Sequence, residues 1–269
     1  NFDIVHIHFG GLYALMIWIV LIGTKNSKFI TFHGTDIHAK SIRTANGWMK
    51  KLKIKLNQLA SFISIALFDK CGFVAEEMME YVPQILKKDL SKKAFTHPLG
   101  VDYDLFQIKS KEEALKSLGL KSGHYILFSD ISNTTIKRRD IAQNIVKELG
   151  NNYELLIMSG VKPNEVPSYI NASDFLLLTS DEEGSPNIIR ECLALNKPVF
   201  SVDVGDAAKQ LKGLKNSCII SRDPIEAVKI IKNLLGKPYT DNTRETHKSI
   251  IDFEEITKKL VTEVYYEKN

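Results

Sequence analysis

The chain has 269 residues, of which 44% are hydrophobic and 25% charged, so it has enough apolar material for a packed core and is not of the disordered class. Lysine and arginine total 36 against 32 acidic residues. The resulting net charge of +4 is too small for a dedicated nucleic-acid binder but allows small anionic ligands. The three cysteines lie far apart without a C-x-x-C pair, at Cys71, Cys192 and Cys218. They support neither a disulfide framework nor a cysteine zinc site, and they fit a reducing cytoplasm.

The first hundred residues alternate strand-like and helical runs. A strand pattern, NFDIVHIHF, begins at once, from which we expect that the natural beginning of the sequence is missing. The apolar run at residues 12–23 is shorter than the roughly 20 residues of a bilayer span and predicts a buried helix. Strands are predicted at 28–34 and 61–68, with a helix from about 48 to 59 between them and a helical run at 75–82 after them.

The same rhythm restarts after a Gly- and Pro-bearing segment at residues 97–106, which indicates a domain boundary. Continuous apolar strands such as YELLIMSG and DFLLLTS are typical of parallel sheets with helices on both faces. The prediction is therefore an α/β chain of two Rossmann-like, doubly wound domains, the first incomplete. Its parts are a partial amino-terminal domain (1–98), a carboxyl-terminal domain (99–250) and a final helix (251–269) that docks back on the body.

Two helices near the end of the chain have clear sequence signals. Asp223, Pro224 and Glu226 form an N-cap, an N1 proline and an N3 glutamate for a helix that runs to about residue 235. The final helix has an apolar stripe at helical spacing, made of Phe253, Ile256, Leu260 and Val264. We expect both helices to be structural.

The most informative segment is residues 179–198, TSDEEGSPNIIRECLALNKP, which follows a buried strand at the edge where α/β sheets bind ligands. Ser185 is expected to cap the next helix, with Pro186 as its first residue. The free amides of that helix would face an anion such as a diphosphate, and they belong to Asn187, Ile188 and Ile189. Glu183 and Glu191 would flank these amides and hold ligand hydroxyls. An ordinary capped helix with solvent-facing acids explains the pattern equally well.

A second polar loop, residues 129–139 (SDISNTTIKRR), also follows a strand and precedes a helix. It carries three adjacent cations, Lys137, Arg138 and Arg139. An arginine fork binds phosphate bidentately, and cations at a helix N-terminus are unfavourable unless an anion compensates them. We therefore favour a phosphate site over a solvated basic helix start.

The segment TFHGTDIH follows a third strand. His33 is placed to donate to a ligand oxygen or to act as an acid or base near neutral pH, whereas Asp36 is expected to cap the following helix. A metal site is a minor alternative because no carboxylate or cysteine ligand pattern accompanies the histidines. Its ligands would be His6 and His8, which share one strand face, with His33 or His38.

The predicted helix at residues 48–59 is amphipathic and rich in lysine. Its lysines are Lys50, Lys51, Lys53 and Lys55, and its apolar stripe is Trp48, Leu52, Leu56 and Leu59. We expect the stripe to lie in the core of a soluble domain. A helix that rests on anionic lipid is the alternative.

These segments together resemble the retaining glycosyltransferases of the GT-B fold, within the family of bacterial glycosyl group 1 transferases, over nearly the whole chain. The most specific part, EGSPNIIRE from Glu183 to Glu191, is similar to the family's E-x7-E motif, and Pro198 and a VDVGD loop at 202–206 follow it. Further family signatures occur in the expected order: HGTD at 33–36, PLGVD at 98–102 with Phe106, and NASDFLLLTS at 171–180.

The resemblance implies transfer of a sugar, with retained anomeric configuration, from a nucleotide sugar to a hydroxyl of a glycan or glycolipid in surface polysaccharide assembly. The expected donor is a UDP-sugar, and no metal or other cofactor is implied. Glu191 would hold the ribose hydroxyls, Glu183 would face the donor sugar, and Lys137 would stabilise the departing diphosphate. His33 would approach the sugar from the other domain. The remaining donor-binding residues implied are Gly184, Ser185, Pro186, Asn187, Ile188 and Arg138.

Two features depart from the family pattern. The usual arginine before Lys137 is replaced by Ile131, Ser132 and Asn133, so Arg138 or Arg139 substitutes for it or diphosphate stabilisation is weaker. No glycine-rich loop precedes the first strand, which leaves the activity of this fragment open. The alternatives are a noncatalytic nucleotide-binding or scaffold module and, less favoured, a sugar-nucleotide epimerase. The implied location is cytoplasmic, with peripheral contact with the inner face of the membrane as an open option.

Overall fold

The computed structural model describes residues 2–38, 42, 45, 47–130, 135–237 and 242–266. The chain divides into two compact units, each built on a parallel sheet. Unit 1 comprises Asn1–Leu99 and Thr257–Asn269, and unit 2 comprises Gly100–Ile256. The three-part division predicted from the sequence stays a prediction.

Unit 1 contains a four-stranded parallel sheet in the order β1-β2-β3-β4. The strands are β1 (Ile4–His8), β2 (Ser27–Phe32), β3 (Lys70–Phe73) and β4 (Ala94–Thr96). The helices are α1 (Leu12–Val20), α2 (Trp48–Leu67) and α3 (Gln84–Leu90), with a 3-10 helix at Glu76–Tyr81. Phe32, Phe68 and Phe73 are almost completely buried in the core of this unit.

Unit 2 contains a five-stranded parallel sheet in the order β6-β5-β7-β8-β9. The strands are β5 (His124–Ser129), β6 (Tyr153–Met158), β7 (Phe175–Leu178), β8 (Val199–Ser201) and β9 (Cys218–Ile219). The helices are α4 (Lys111–Ser117), α5 (Arg139–Leu149), α6 (Val166–Ala172), α7 (Asn187–Ala194), α8 (Ala207–Gln210), α9 (Pro224–Leu235), α10 (Thr243–Thr246) and α11 (Lys248–Ile251). Helix α12 (Phe253–Lys259) begins in unit 2, and its residues from Thr257 onward belong to unit 1. Short 3-10 helices lie at Thr135–Lys137 and Pro163–Glu165.

The sheet of unit 2 is covered on both faces, as its continuous apolar strands predict. Along β7, Leu176 and Leu178 belong to one hydrophobic cluster, and Phe175 and Leu177 belong to the other. Because successive side chains of a strand point to opposite faces, both faces of β7 are buried. This arrangement confirms the predicted α/β class with parallel sheets.

The strand predicted at residues 61–68 is wrong, because this segment is the second half of helix α2. Its buried residues recur at helical spacing, at Ala60, Ser61, Ser64 and Ile65. The letters SFISIALF fit a strand alternation as well as a helix face, and packing against the sheet selects the helix. The helical run predicted at 75–82 is a 3-10 helix.

Two apolar segments predicted to be buried are exposed. In α1 only Ala14 is buried, and the exposed apolar side chains are Leu12, Tyr13, Met16, Ile19 and Val20. The stripe of α2 also faces solvent, at Trp48, Leu52, Leu56 and Leu59. Helix α2 packs on the face that carries Ala60, Ser61, Ser64 and Ile65, and the predicted stripe lies on another face. Periodicity alone does not tell which face of a largely apolar helix meets the core.

The two helices near the carboxyl terminus differ in outcome. The predicted cap of α9 is confirmed, since the Asp223 carboxylate accepts the amides of Ile225 and Glu226, both at 3.0 Å. In the last segment Ile256 and Leu260 are buried, but Phe253 is 55% exposed and does not join the predicted stripe. Regular α-helix gives way to a π-helix at Leu260–Tyr265, which shifts the spacing of the stripe.

Candidate functional site

The loop between β7 and α7 contains the E-x7-E segment. Helix α7 begins at Asn187, and Pro186 occupies the N-cap position, so the predicted cap at Ser185 is wrong by one residue. The Ser185 hydroxyl instead donates to Asp206 Oδ2 at 2.7 Å. The Ser185 hydroxyl therefore bonds to the buried Asp206 carboxylate and does not cap the helix.

A buried ion pair, which the sequence reasoning missed, holds this loop in place. Arg190 and Asp206 are both nearly inaccessible, and Arg190 Nη2 lies 3.2 Å from Asp206 Oδ2. Arg190 also donates to Ser185 Oγ at 2.5 Å and to Asn187 Oδ1 at 3.2 Å. Burial lowers the pKa of Arg190, and Asp206 opposes that shift. A charged residue inside an apolar helix run was the available sequence signal, because such a residue needs a buried partner.

A close glycine contact fixes the same loop from the other side. Gly205 has φ +57°, and a Cβ there would lie 2.5 Å from the Gly184 carbonyl oxygen. The VDVGD turn therefore rests directly against the backbone of the E-x7-E loop. Only glycine combines this backbone angle with this approach.

The first amides of α7 face outward from the helix end. The Ile189 amide bonds to Pro186 O at 3.2 Å, whereas the amides of Asn187 and Ile188 stand in the first turn, where no intrahelical acceptor exists. These two groups, with the positive end of the helix dipole, form a place for an anion.

Lys137 and Glu183 form the central ion pair of the site. Lys137 Nζ lies 2.6 Å from Glu183 Oε1, and both side chains are mostly buried. The Ser180 hydroxyl donates to the same carboxylate oxygen at 2.7 Å. The structure therefore brings together, from the loops after β5 and β7, the two residues predicted to act on the donor.

The two arginines that follow Lys137 have protein partners. Arg138 donates to Asp140 at 2.9 and 2.8 Å and to Asp181 at 3.3 Å, and the bonds to Asp140 raise the pKa of Arg138. Arg139 pairs with the buried Asp130. Protein carboxylates thus balance the positive charges at this helix N-terminus, a role that we expected a bound anion to fill. Residues 131–134, where the family's arginine would fall, lie outside the described residues.

Glu191 is a partly buried carboxylate in the second half of α7. Burial raises the pKa of Glu191 to about 7. Within the part of the chain that the structure describes, no group donates a hydrogen bond to this carboxylate. The carboxylate oxygens of Glu191 are therefore available to accept hydrogen bonds from ligand hydroxyls.

In unit 1, His33 lies at the carboxyl end of β2 in a cluster of aromatic rings. Its ring stacks on Phe9 with centroids 4.1 Å apart, and its Nε2 lies 3.0 Å from His8 Nδ1. Burial lowers the pKa of His33. Among the described residues, Asp36 caps no helix, in contrast to the expectation. Its buried carboxylate accepts the amides of Gly10, His33 and Gly34, so it fastens the ends of β1 and β2 together.

Three further histidines surround this point, of which the sequence reasoning missed His97. His6 stacks on His8 at 4.7 Å and contacts Tyr265 and Thr31 through its two ring nitrogens, at 2.5 and 2.8 Å. Burial lowers the pKa of His6 to about 3 and that of His97 to about 4. Among the described residues, no three histidine, cysteine or acidic side chains are arranged to hold a metal ion.

The architecture of two Rossmann-like parallel-sheet units defines a GT-B protein. One solved structure with this fold is Anabaena HepE in complex with UDP and glucose, at TM-score 0.75 and 13% identity, over 99% of this chain and 78% of that one. Another is WaaG, a glycosyltransferase involved in lipopolysaccharide biosynthesis, at TM-score 0.68 and 13% identity, over 92% of this chain and 80% of that one.

Residues 136–251 match the sequence model described as glycosyl transferases group 1. A curated relative, named for teichuronic acid biosynthesis, is the glycosyltransferase TuaC of Bacillus subtilis (strain 168). It is 25% identical over 231 residues, which cover 76% of this chain. The chain spans 54% of the length of that relative.

Proposed function

We propose that this protein is a retaining glycosyltransferase that moves a sugar from a nucleotide sugar, a UDP-sugar, to a hydroxyl of a glycan or glycolipid acceptor in surface polysaccharide assembly. The observation that carries the proposal is the Lys137–Glu183 ion pair beside the open end of α7. The family match, a neighbour solved with UDP and relatives named for cell-surface polymers support it.

The proposed donor site uses the groups of unit 2 in order along the nucleotide sugar. Glu191 accepts hydrogen bonds from the ribose hydroxyls, since no group of the described residues donates to its carboxylate. The amides of Asn187 and Ile188 receive a diphosphate oxygen, because the helix dipole favours negative charge there. Gly184, Ser185 and Pro186 form the loop wall, which the Arg190–Asp206 pair holds rigid.

Lys137 and Glu183 are proposed to separate when the donor binds. The Lys137 ammonium then stabilises the negative charge that develops on the leaving diphosphate as the bond to the anomeric carbon breaks. Glu183 accepts a hydrogen bond from a sugar hydroxyl. Fixed charges aimed at a developing charge supply much of the rate enhancement in such sites. Arg138 plays a smaller part, since two carboxylates already balance it.

In the proposed reaction the acceptor hydroxyl attacks the anomeric carbon on the face that the diphosphate leaves. A leaving phosphate oxygen takes the hydroxyl proton, so the products are the glycoside with retained configuration and the nucleoside diphosphate. No protein nucleophile and no metal ion enters this scheme. His33 stays a prediction as the residue that contacts the donor sugar.

Calorimetric titration of the chain with UDP, GDP and ADP tests the nucleotide site. We expect UDP to bind in the micromolar range and Glu191→Ala and Lys137→Ala to weaken it. A folded chain that binds none of the three nucleotides contradicts the donor-site assignment. Nucleotide binding without sugar transfer or donor hydrolysis, in a chain extended to the length of its relatives, would favour the noncatalytic module over the transferase.

A further inference from the structure

Helix α2 presents an uninterrupted apolar face to solvent. Its members recur at helical spacing, and together they are here called the α2 face: Trp48, Met49, Leu52, Leu56, Leu59 and Ile63. Their side chains are 43 to 73% exposed, and Trp48 is the most exposed of the six. Isolated exposed apolar residues are ordinary on protein surfaces, but a continuous row along a helix marks an interaction site.

Helix α1 lies alongside and extends this apolar character. The Leu12 amide donates to Asn57 Oδ1 at 3.2 Å, and Trp18 Nε1 donates to the Leu67 carbonyl at 3.1 Å, so the two helices are joined along their lengths. Helix α1 contains no charged residue, and its Met16 and Ile19 side chains are more than half exposed. The two helices together have no acidic residue.

Four lysines in the first half of α2 determine which partner fits. Lys50, Lys51, Lys53 and Lys55 are all exposed, and they lie within two turns that also carry Trp48 and Leu52. Lysine is depleted from the cores of protein–protein interfaces, because its ammonium is costly to desolvate. Next to an anionic bilayer the same lysines are favourable, since their long stems let the ammonium reach the headgroups while the apolar face enters the acyl boundary.

We propose that α2 docks this protein on the surface of an anionic lipid bilayer, with the α2 face in the acyl boundary and the four lysines among the headgroups. A helix with one apolar face and a lysine-rich flank lies in the plane of the interface. The described part of the chain holds no helix long and apolar enough to cross a membrane. The proposal concerns unit 1 alone and does not depend on the proposed transferase activity.

Vesicle co-sedimentation of the whole chain tests the proposal. We expect binding to vesicles of phosphatidylcholine with phosphatidylglycerol at low salt, weaker binding at high salt, and little binding to phosphatidylcholine alone. Each lysine near the surface contributes roughly fivefold to the partition. Changing the four lysines to glutamine is therefore expected to reduce binding by about a hundredfold or more.

The matched control changes four exposed lysines on other elements to glutamine: Lys88, Lys92, Lys116 and Lys121. This variant has the same net charge as the α2 variant and is expected to bind vesicles nearly as well as the parent. Because all eight positions are exposed, both variants are expected to unfold near the parent's temperature. Equal losses in the two variants would show that net charge, and not α2, drives binding, and would overturn the proposal.

Trp48 reports whether the apolar face enters the lipid. The sequence has two tryptophans, so Trp18→Phe leaves Trp48 as the single emitter. We expect its emission to shift to shorter wavelength on anionic vesicles and to be quenched by brominated acyl chains. Bound protein without quenching overturns the insertion of the α2 face. A different result would also overturn the proposal: the chain does not bind vesicles but forms dimers, and Leu52→Ser and Leu56→Ser abolish the dimers. The α2 face would then be an interface with a second copy of the chain.

Discussion

Lys137 Nζ and Glu183 Oε1 lie 2.6 Å apart, at the ends of two loops that follow neighbouring strands of the same sheet. Two residues 46 positions apart in sequence are thus direct partners. In the proposed donor site, a bound diphosphate replaces Glu183 as the partner of the Lys137 ammonium, and a sugar hydroxyl replaces Lys137 as the partner of the Glu183 carboxylate.

Loss of the Lys137 ammonium is expected to weaken UDP binding. A hydrogen bond to a charged group contributes about 1.5 to 3 kcal/mol, so Lys137→Ala should raise the dissociation constant by about 10- to 150-fold. Calorimetry with the exposed Lys147→Ala as the control measures the difference. Unchanged affinity in Lys137→Ala would remove Lys137 from the diphosphate site.

Ionisation of Glu191 is expected to reduce the stability of the folded chain at alkaline pH. Its folded pKa of about 7 lies above its ordinary value of 4.5, so the folded state holds the proton more tightly between these values. Stability is therefore lost as pH rises from 4.5 through 7, by about 3 kcal/mol when the carboxylate is fully ionised. Glu191→Gln should match the parent near pH 5 and exceed it near pH 8.

Urea unfolding of both chains across this pH range measures the effect, and Glu148→Gln, at an exposed position of α5, is the control. The same Glu191→Gln variant should bind UDP more weakly at alkaline pH. If the free energy of unfolding changed with pH equally in the parent and in Glu191→Gln, Glu191 would not be the titrating group.

Gly205→Ala is expected to displace the E-x7-E loop. The new Cβ would meet the Gly184 carbonyl oxygen at 2.5 Å, in addition to the strain of a positive φ. We expect a loss of stability of about 1 to 3 kcal/mol and weaker UDP binding. Gly213→Ala separates the two effects, because Gly213 also has a positive φ but a Cβ there has nothing within 4 Å. Equal effects in the two variants would rule out the contact as the cause.

The histidine cluster of unit 1 is expected to destabilise the chain in acid. The folded pKa of His6 is about 3 and that of His97 about 4, both below the ordinary value of 6.5. The unfolded state therefore takes up these protons first, and stability present above pH 6.5 is lost as pH falls toward 4. Each such group contributes a slope of about 1.4 kcal/mol per pH unit.

Denaturant unfolding of the parent and of His6→Gln between pH 4.5 and pH 7.5 measures that slope, which should be shallower in the variant by about one proton. His247→Gln, in unit 2, is the control. An unchanged slope in His6→Gln would show that His6 does not take up a proton on unfolding.

Local sequence patterns predicted much of the fold because each element depends on nearby residues. The β5 and β7 strands were visible as continuous apolar runs, and the α9 cap followed from Asp223 and Pro224. The strand prediction at 61–68 was wrong because it also depended on a local pattern. Eight residues fit both a strand and a helix, and only their tertiary contacts decide between the two. The prediction that the α2 stripe is buried was wrong because burial depends on neighbouring elements, which the sequence of a single helix does not specify.

By itself the sequence determined the α/β class, the two parallel sheets and the loops after strands where polar residues gather, since chain order and hydrophobic period control these features. The tertiary structure decided the pairings. It placed Lys137 against Glu183, gave Arg138 and Arg139 carboxylate partners, and buried Arg190 with Asp206. Charge pairing across loops depends on ångström distances between residues far apart in the chain, and no local pattern encodes those distances.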